Sequence, residues 1–264
     1  MLRSTLLIVT LAALVVSAGC IGPVENGGSP STPDRSPVTP KPTPDRPDTV
    51  TNDSVVDYLE QYERVQRYNG LIDENFSNAE LRCNAMLVNN TKMGYYLRAG
   101  CGGASYYDLD GDGEAAEHQD MGIDDTDYVV TNTSTLRINP EQRVVETPFE
   151  SNRSSQDTPQ EAFGSFSVLN FDDDSVSITV TIEYVGNGSP ESALDATYDL
   201  EPTSGYEIYR VTEQPGTYLV TVTVDSTSYQ YRWSPKTETD AKPFSIVVWP
   251  DRTVTFEPRP VIEY

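Results

Sequence analysis

Cys83-Asn-Ala-Met-Leu-Val-Asn-Asn-Thr-Lys-Met-Gly-Tyr-Tyr-Leu-Arg-Ala-Gly-Cys101 reads as a hairpin. If the chain turns at Thr91, Lys92 and Met93, Cys83 falls opposite Cys101, Ala85 opposite Ala99, Leu87 opposite Leu97 and Asn89 opposite Tyr95. One face of the pair is then almost wholly apolar, and the other carries Asn84, Met86, Val88, Tyr96 and Arg98. A slip of one residue would mix the faces and part the cysteines, so the register is strongly specified. Directly opposed residues on neighbouring strands lie within the span of a disulfide, and Cys83–Cys101 is the expected bond. A two-cysteine metal site is the rival, but His118 is the single imidazole of the chain and no third soft ligand is at hand.

Working outward, Tyr128 to Ile138 and Gln142 to Phe149 read as two more strands joined by a turn at Asn139-Pro140. On the other side, Val55, Tyr58, Leu59, Tyr62 and Val65 recur at helical spacing as far as Tyr68. Ser54 with Asp57 makes a capping-box-like start, and Gly70 is the expected stop. The expectation for residues 51–149 is an α+β domain, one helix on a four-stranded antiparallel sheet. The tyrosines of the helix read as core rim.

Residues 150–164 are polar, contain Pro159 and Gly164, and read as a linker. Beyond them the pattern changes to period two. Val176, Ile178, Val180, Ile182 and Tyr184 alternate with polar residues, as do Leu194, Ala196, Tyr198 and Leu200, and Tyr218, Val220, Val222 and Val224. Turn signals at Gly186-Asn-Gly188, Pro202 to Gly205, Pro215-Gly216 and Pro250-Asp251 divide residues 165–264 into seven or so strands, an all-β sandwich with its own core. Glu213-Gln-Pro-Gly-Thr-Tyr218 ahead of Leu219-Val-Thr-Val222 resembles the turn and tyrosine corner of immunoglobulin-like modules. Tyr229, Tyr231 and Trp233 share a strand face, with Trp249 near the end of another strand. This aromatic row reads as core rather than as a sugar platform.

The N-terminal end supplies an address. Arg3, the apolar run Leu6 to Val16 and the small residues Ser17, Ala18 and Gly19 make residues 1–19 a secretory signal peptide. Ser17-Ala-Gly-Cys20 resembles a lipobox, with Ser17 where the family usually carries leucine, and the resemblance implies a lipid on Cys20. An uncleaved anchor is the alternative, but the apolar run is short for a span of about 20 residues. Residues 20–50 hold eight prolines after Cys20 and little to bury, so they read as a tether. In polyproline II geometry, at about 3.1 Å per residue, that tether would reach roughly 80–90 Å.

Asp and Glu total 41 against 18 Lys plus Arg, a net charge of −23. Such a chain repels itself where the Debye length is about 8 Å and is far better screened near 1 M salt, where it is about 3 Å. Lys appears only at positions 41, 92, 236 and 242. Together with the lipobox, this composition resembles haloarchaeal lipid-anchored surface lipoproteins. The resemblance implies a cell-surface location on the outer face of the cytoplasmic membrane, with a surface-layer or envelope protein as partner. Nucleic acid is excluded as a partner by the charge.

The one chemistry-like motif is Asp108-Leu-Asp110-Gly-Asp112-Gly-Glu114. It resembles short D-x-D-x-D-G calcium loops, in which alternate carboxylates converge on a hard cation and glycine permits the turn. That resemblance implies calcium held by Asp108, Asp110, Asp112 and Glu114, with Gln119 or Asp120 closing the shell where an EF-hand would have a bidentate glutamate. A solvated acidic loop is the alternative, since nine carboxylates fall between Asp108 and Asp127. N-x-[ST] sequons at Asn52, Asn75, Asn89, Asn132, Asn152 and Asn187 are candidate glycosylation sites in an exported chain. No nucleophile–histidine pair, phosphate loop or histidine cluster is present, so no catalytic residue is named. The expectation is a non-enzymatic surface protein serving as an envelope interaction or structural module. A calcium-stabilised binding protein and a carboxylate-based hydrolase are the alternatives.

Overall fold

Thr51 and Ser54 start a helix by a reciprocal exchange. Ser54 N donates to Thr51 Oγ1 at 3.2 Å and Thr51 N donates to Ser54 Oγ at 2.9 Å, a capping box three residues ahead of the expected one. The computed structural model describes residues 38–72, 76–107, 117–121, 125–145, 163–186, 190–212, 214–235 and 243–262. Within them α1 runs Asn52–Ile72. It passes straight through Gly70, because Leu71 is buried and anchors the last turn. Val55, Tyr58 and Leu59 face Leu97, Ala99, Tyr128 and Val130 across one apolar layer.

The segment before the helix is not a free tether. Asn69 pairs its side chain with the Lys41 backbone in both directions, at 2.8 and 2.9 Å, and the Lys41 ammonium sits 3.7 Å above the Tyr68 ring. Arg46 donates to the Asn132 carbonyl at 3.2 Å, and Tyr95 Oη donates to the Val50 carbonyl at 3.0 Å. The compact body accordingly begins at Pro37. A Pro-rich strand with no internal backbone bonds can dock wherever side chains satisfy its carbonyls, which composition alone does not reveal.

The sheet beneath the helix comprises β1 (Phe76–Thr91), β2 (Gly94–Tyr107), β3 (Glu117–Met121), β4 (Thr126–Val130) and β5 (Thr135–Ile138), in the order β1-β2-β4-β5 with β3 on the far half of β2. Cys83, Ala85 and Leu87 oppose Cys101, Ala99 and Leu97 as expected, and Cys83 and Cys101 form a disulfide with their Cα atoms 4.1 Å apart. Nearer the turn the register differs, since Asn89 opposes Tyr96 and Asn90 opposes Tyr95. The turn holds only Lys92 and Met93, and a bulge at Val88 absorbs the residue left over. Gly94, at φ +142°, closes this turn where a Cβ would stand 2.9 Å from the Val130 carbonyl.

The expected strand from Tyr128 to Ile138 is two strands. Thr131 Oγ1 accepts from the amides of Thr133 and Ser134, and Thr131 N donates to the Ser134 carbonyl at 2.8 Å, which folds Thr131-Asn-Thr-Ser134 into a hydroxyl-braced turn. The segment expected at 142–149 is also reassigned. As β6 (Glu141–Val144) it leaves the first sheet and pairs in parallel with β10 (Ser204–Thr212).

A second sheet has the order β14-β13-β7-β10-β6, with β7 spanning Phe163–Asn170, β13 Phe244–Val248 and β14 Val254–Pro258. A third has the order β12-β11-β8-β9, from β8 (Val176–Tyr184), β9 (Glu191–Leu200), β11 (Tyr218–Val224) and β12 (Thr227–Trp233). The protein is thus mostly β, with one helix among the described residues and several sheets whose pairings are chiefly antiparallel. The second and third sheets share a large core that includes Val168, Ile178, Val180, Val220, Ile246 and Trp233. Of the aromatic row, Trp233 is buried in this core, Tyr229 and Tyr231 are partly buried against it with Tyr231 stacked on Phe256, and Trp249 belongs to a separate buried cluster.

The second sheet is apolar on its other face too. Leu169, Phe171, Val247 and Trp249 pack against Tyr96, Val129 and Ile138 of the first sheet. The expectation of two domains with separate cores is corrected by this layer: helix, first sheet, second sheet and third sheet are stacked in sequence. Of the expected linker, residues 150–162 lie outside the described residues and Phe163-Gly164 open β7.

Candidate functional site

Where the first and second sheets meet, the apolar layer gives way to ions. Arg98 on β2 and Asp127 on β4 are cross-strand neighbours, and Asp127 is fully buried. Its Oδ1 lies 3.5 Å from Arg98 Nε and its Oδ2 lies 3.5 Å from Nη2 of Arg259, which follows β14 and is also buried. Tyr96 Oη donates to Asp127 Oδ1 at 2.6 Å, and the Ser245 hydroxyl on β13 is 3.1 Å from the same phenol oxygen. Arg98 spends its remaining reach on Asp125, at 2.7 Å, and on the Pro260 carbonyl, at 2.5 Å. Arg259 donates to Glu207 on β10. One carboxylate therefore bridges two guanidiniums, and those guanidiniums tie in β10 and the C-terminal segment.

The electrostatics follow the geometry. Burial pushes the Tyr96 phenol well above its ordinary value, and the adjacent Asp127 carboxylate pushes it further. For Arg259, burial works to lower the guanidinium, but Asp127 and Glu207 more than reverse this and hold it above its usual range. Tyr209 is pushed up to about 12, first by burial and then by its hydrogen bond to Glu207. Because the folded state holds these phenolic protons more tightly than the unfolded chain, their contribution is complete below pH about 10 and is lost as pH rises above it, through about 12 for Tyr209. Urea midpoints measured across alkaline pH should fall over that window, and more steeply in the wild type than in Tyr96→Phe.

The network floors a cleft of about 190 Å³. Its walls are Glu207 and Tyr209 from β10, Asp125 ahead of β4, Asn139 and Pro140 from the link between β5 and β6, and Gln142 from β6. All but Pro140 are polar. Sequence reasoning named none of these residues as a site. Asp125 and Asp127 were hidden in an acidic crowd, and the signal that existed was an arginine on each of two apolar segments, Arg98 between Leu97 and Ala99 and Arg259 between two prolines.

A second buried group lies on the helix side. Tyr128 donates to Glu63, Arg137 Nε donates to Tyr128 Oη at 2.9 Å, and the Glu63 carboxylate is 3.7 Å from Arg137 Nε. Burial, then the Glu63 charge, raises the Tyr128 phenol. This group fastens α1 to its sheet.

No protein-family model, curated protein or solved structure matches the chain. Its function is read from its own geometry.

Of the residues expected to form sites, Cys20, Asp108, Asp110, Asp112 and Glu114, and the sequons at Asn75, Asn152 and Asn187, lie outside the described residues. Gln119 and Asp120 lie in β3, whose pairing with β2 places Gln119 opposite Ser105 and Asp120 opposite Ala104. Tyr107 pairs with Glu117, which brings the two ends of the acidic loop together. Asn52 and Asn132 are exposed, whereas Asn89 is half-buried and donates its Nδ2 to Glu257 at 2.8 Å.

One acidic group of metal-binding size occurs among the described residues, Asp172, Asp173 and Asp174. Its countercharge is already present. Arg252 Nε is 2.5 Å from Asp172, and its terminal nitrogens are 3.8 Å from Asp174 and from Asp225.

Proposed function

We propose that the protein is a non-enzymatic, lipid-anchored module of a halophilic cell surface: a layered β body carried outside the membrane on Cys20 and presenting its faces to envelope proteins. The observation that carries this reading is the docking of residues 38–50. It fits a folded body that begins at Pro37, some way past the proposed lipid site. A body whose layers are joined by a shared core and an ionic bridge suits a display or spacer role. Nothing in that role requires a span, and among the described residues no helix is long and apolar enough to cross a membrane. The finer fold reading is an α+β helix-on-sheet domain followed by an immunoglobulin-like sandwich. It is supported by Tyr218, whose Oη donates to the Gln214 carbonyl at 2.7 Å in the manner of a tyrosine corner.

Cys20→Ser tests the anchor. The variant should appear in the medium or accumulate as unprocessed precursor, while mass spectrometry of the wild type should find a lipid-modified Cys20 as the first residue. A wild-type protein that is soluble, or that keeps Met1 in the membrane fraction, overturns the reading.

Calcium stabilisation is a second reading, favoured by the Tyr107–Glu117 pairing that closes the acidic loop. Loops of this type supply carboxylates at alternate positions to a hard cation. Binding to the folded form alone would stabilise by about 2.7 kcal/mol at a hundredfold excess over the dissociation constant. Thermal midpoints at fixed high ionic strength should rise with calcium and fall with chelator, and Asp110→Asn should abolish the difference. A wild-type midpoint indifferent to calcium reduces the loop to a solvated acidic surface.

A further inference from the structure

We propose that the open edge of β12 is a self-association surface. A second copy of the chain adds its own β12 there, antiparallel about a two-fold axis at Gln230, and joins the two third sheets into one. The inference does not depend on the anchor, because every residue it uses belongs to the folded body.

An exposed strand edge is a template for another strand, and folds guard it with charge, proline, shortness or a covering group. The other sheet edges are guarded in these ways. Along β1, the side chains of Asn78, Glu60 and Asn89 accept from the amides of Ala79, Ala85 and Asn90 at 2.9, 3.4 and 2.7 Å. β14 ends in Pro258, and Asn89 of β1 reaches its Glu257 at 2.8 Å. β9 carries exposed Glu191, Asp195 and Asp199, whose charges repel a second acidic body. β3, β5 and β6 are only four or five residues long. β12 is different. It runs seven residues, pairs with β11 without a bulge and contains neither proline nor carboxylate, and no described strand pairs with its outer side. Its one charge is Arg232, exposed and in no ion pair among the described residues, in a chain of net charge −23.

The hairpin decides which backbone groups are available. Val224 opposes Thr227 across the two-residue turn Asp225-Ser226, whose residues sit at φ +47° and +69°. The pair that closes such a turn is hydrogen-bonded, and bonded and non-bonded pairs alternate from there. Thr227, Tyr229 and Tyr231 therefore give their N–H and C=O to β11, while Ser228, Gln230 and Arg232 turn theirs to the open edge. A second β12 centred on Gln230 sets Gln230 against itself and Ser228 against Arg232, so these outward groups are all used in both copies. A centre on Tyr229 or Tyr231 would leave Arg232 or Ser228 facing a residue outside the strand. The side chains agree with the same register. On the inner face, Tyr229 falls beside Tyr231 of the second copy, extending the Tyr231–Phe256 stack by an aromatic cross-strand pair. On the outer face two Gln230 amides meet, each able to donate and accept, and no carboxylate opposes another. Repulsion between two acidic bodies resists the contact in dilute salt and is screened near 1 M, where the Debye length is about 3 Å. One strand pair is a small interface, so association is weak, on the order of 100 μM, and dilute protein stays monomeric.

The test is sedimentation equilibrium of the full-length chain over a concentration series at high ionic strength, with Cys20→Ser to remove the thiol outside the Cys83–Cys101 bond. The average mass should climb from monomer toward dimer with concentration, and less so in dilute salt. Gln230→Pro removes an N–H that faces solvent in the monomer, where an edge strand accepts proline, so the melting midpoint at low concentration should stay near that of the parent. In the dimer the same change deletes both central main-chain bonds, and association should weaken about thirtyfold. Gln230→Cys tests the register without a backbone change. Opposed residues of a bonded pair lie about 5.5 Å apart between Cα atoms, within the span of a disulfide, so oxidation should link position 230 to itself, as mapped by peptide mass spectrometry. Arg232→Cys should not link to itself, because the two copies of that position stand roughly 13 Å apart along the strands. A chain that stays monomeric at high ionic strength, a dimer that Gln230→Pro leaves unchanged, or Arg232→Cys linking as readily as Gln230→Cys would each overturn the proposal. None of these outcomes touches the anchor, which the mature N-terminus reads separately.

Discussion

Asp127→Ala is expected to destabilise the whole body by about 3–5 kcal/mol, the usual cost of removing one partner from a buried ion pair. The loss of the carboxylate is the smaller part of this. Arg98 and Arg259 would remain buried with no counter-ion between them, and the Tyr96 hydroxyl would lose its acceptor at 2.6 Å. For a folded body of this size each kcal/mol moves the melting midpoint by roughly 2–4 °C, so a fall of about 10 °C is the expected reading in thermal denaturation. Asp127→Asn keeps an acceptor for Tyr96 and should fall between the alanine variant and the wild type. A midpoint unchanged by Asp127→Ala would mean that water already compensates the two guanidiniums.

Trp249→Ala is the second large effect, expected at about 3–5 kcal/mol because the indole is 1% exposed and the cavity left behind cannot collapse between two sheets. Its Nε1 also donates to Thr255 at 2.9 Å, which the variant forfeits. The location of the residue matters as much as its size. Trp249 packs with Tyr96, Val129 and Ile138 on one side and Leu169 and Val247 on the other, so its loss weakens the layer that joins the first sheet to the second. The disulfide in the first sheet cannot confine the damage. Circular dichroism and tyrosine fluorescence should report the same lowered midpoint, and a loss seen by only one probe would place Trp249 in a local core.

Residues 83–101 and 176–224 were legible because each strand there has two unlike faces. Val176, Ile178 and Val180 turn inward while Ser177 and Thr179 face outward or sideways, and the period shows in the residue types. Phe244-Ser-Ile-Val-Val-Trp249 was not readable in the same way. Covered on both faces, β13 is buried throughout, and a strand of that kind has no alternation to announce which layer lies on which side. That is why the sequence pointed to two cores where the structure has a continuous stack. The β6 transfer escaped for a related reason, since its four residues are all exposed and show no buried face to assign it to a sheet. Within the site, Arg98 was visible on the polar face of the hairpin, but its partner Asp127 was one acidic residue among 41 Asp and Glu. Arg98 falls opposite Asp127 through the pairing of β2 with β4, two strands that are not consecutive in the chain, so no hairpin pattern announced it.

Stacked layers with shared cores should unfold together. Differential scanning calorimetry of the wild-type protein at high ionic strength measures this directly. The account predicts one transition whose calorimetric enthalpy equals its van't Hoff enthalpy. Two separable transitions, or a calorimetric enthalpy near twice the van't Hoff value, would contradict it and return the chain to two independent domains.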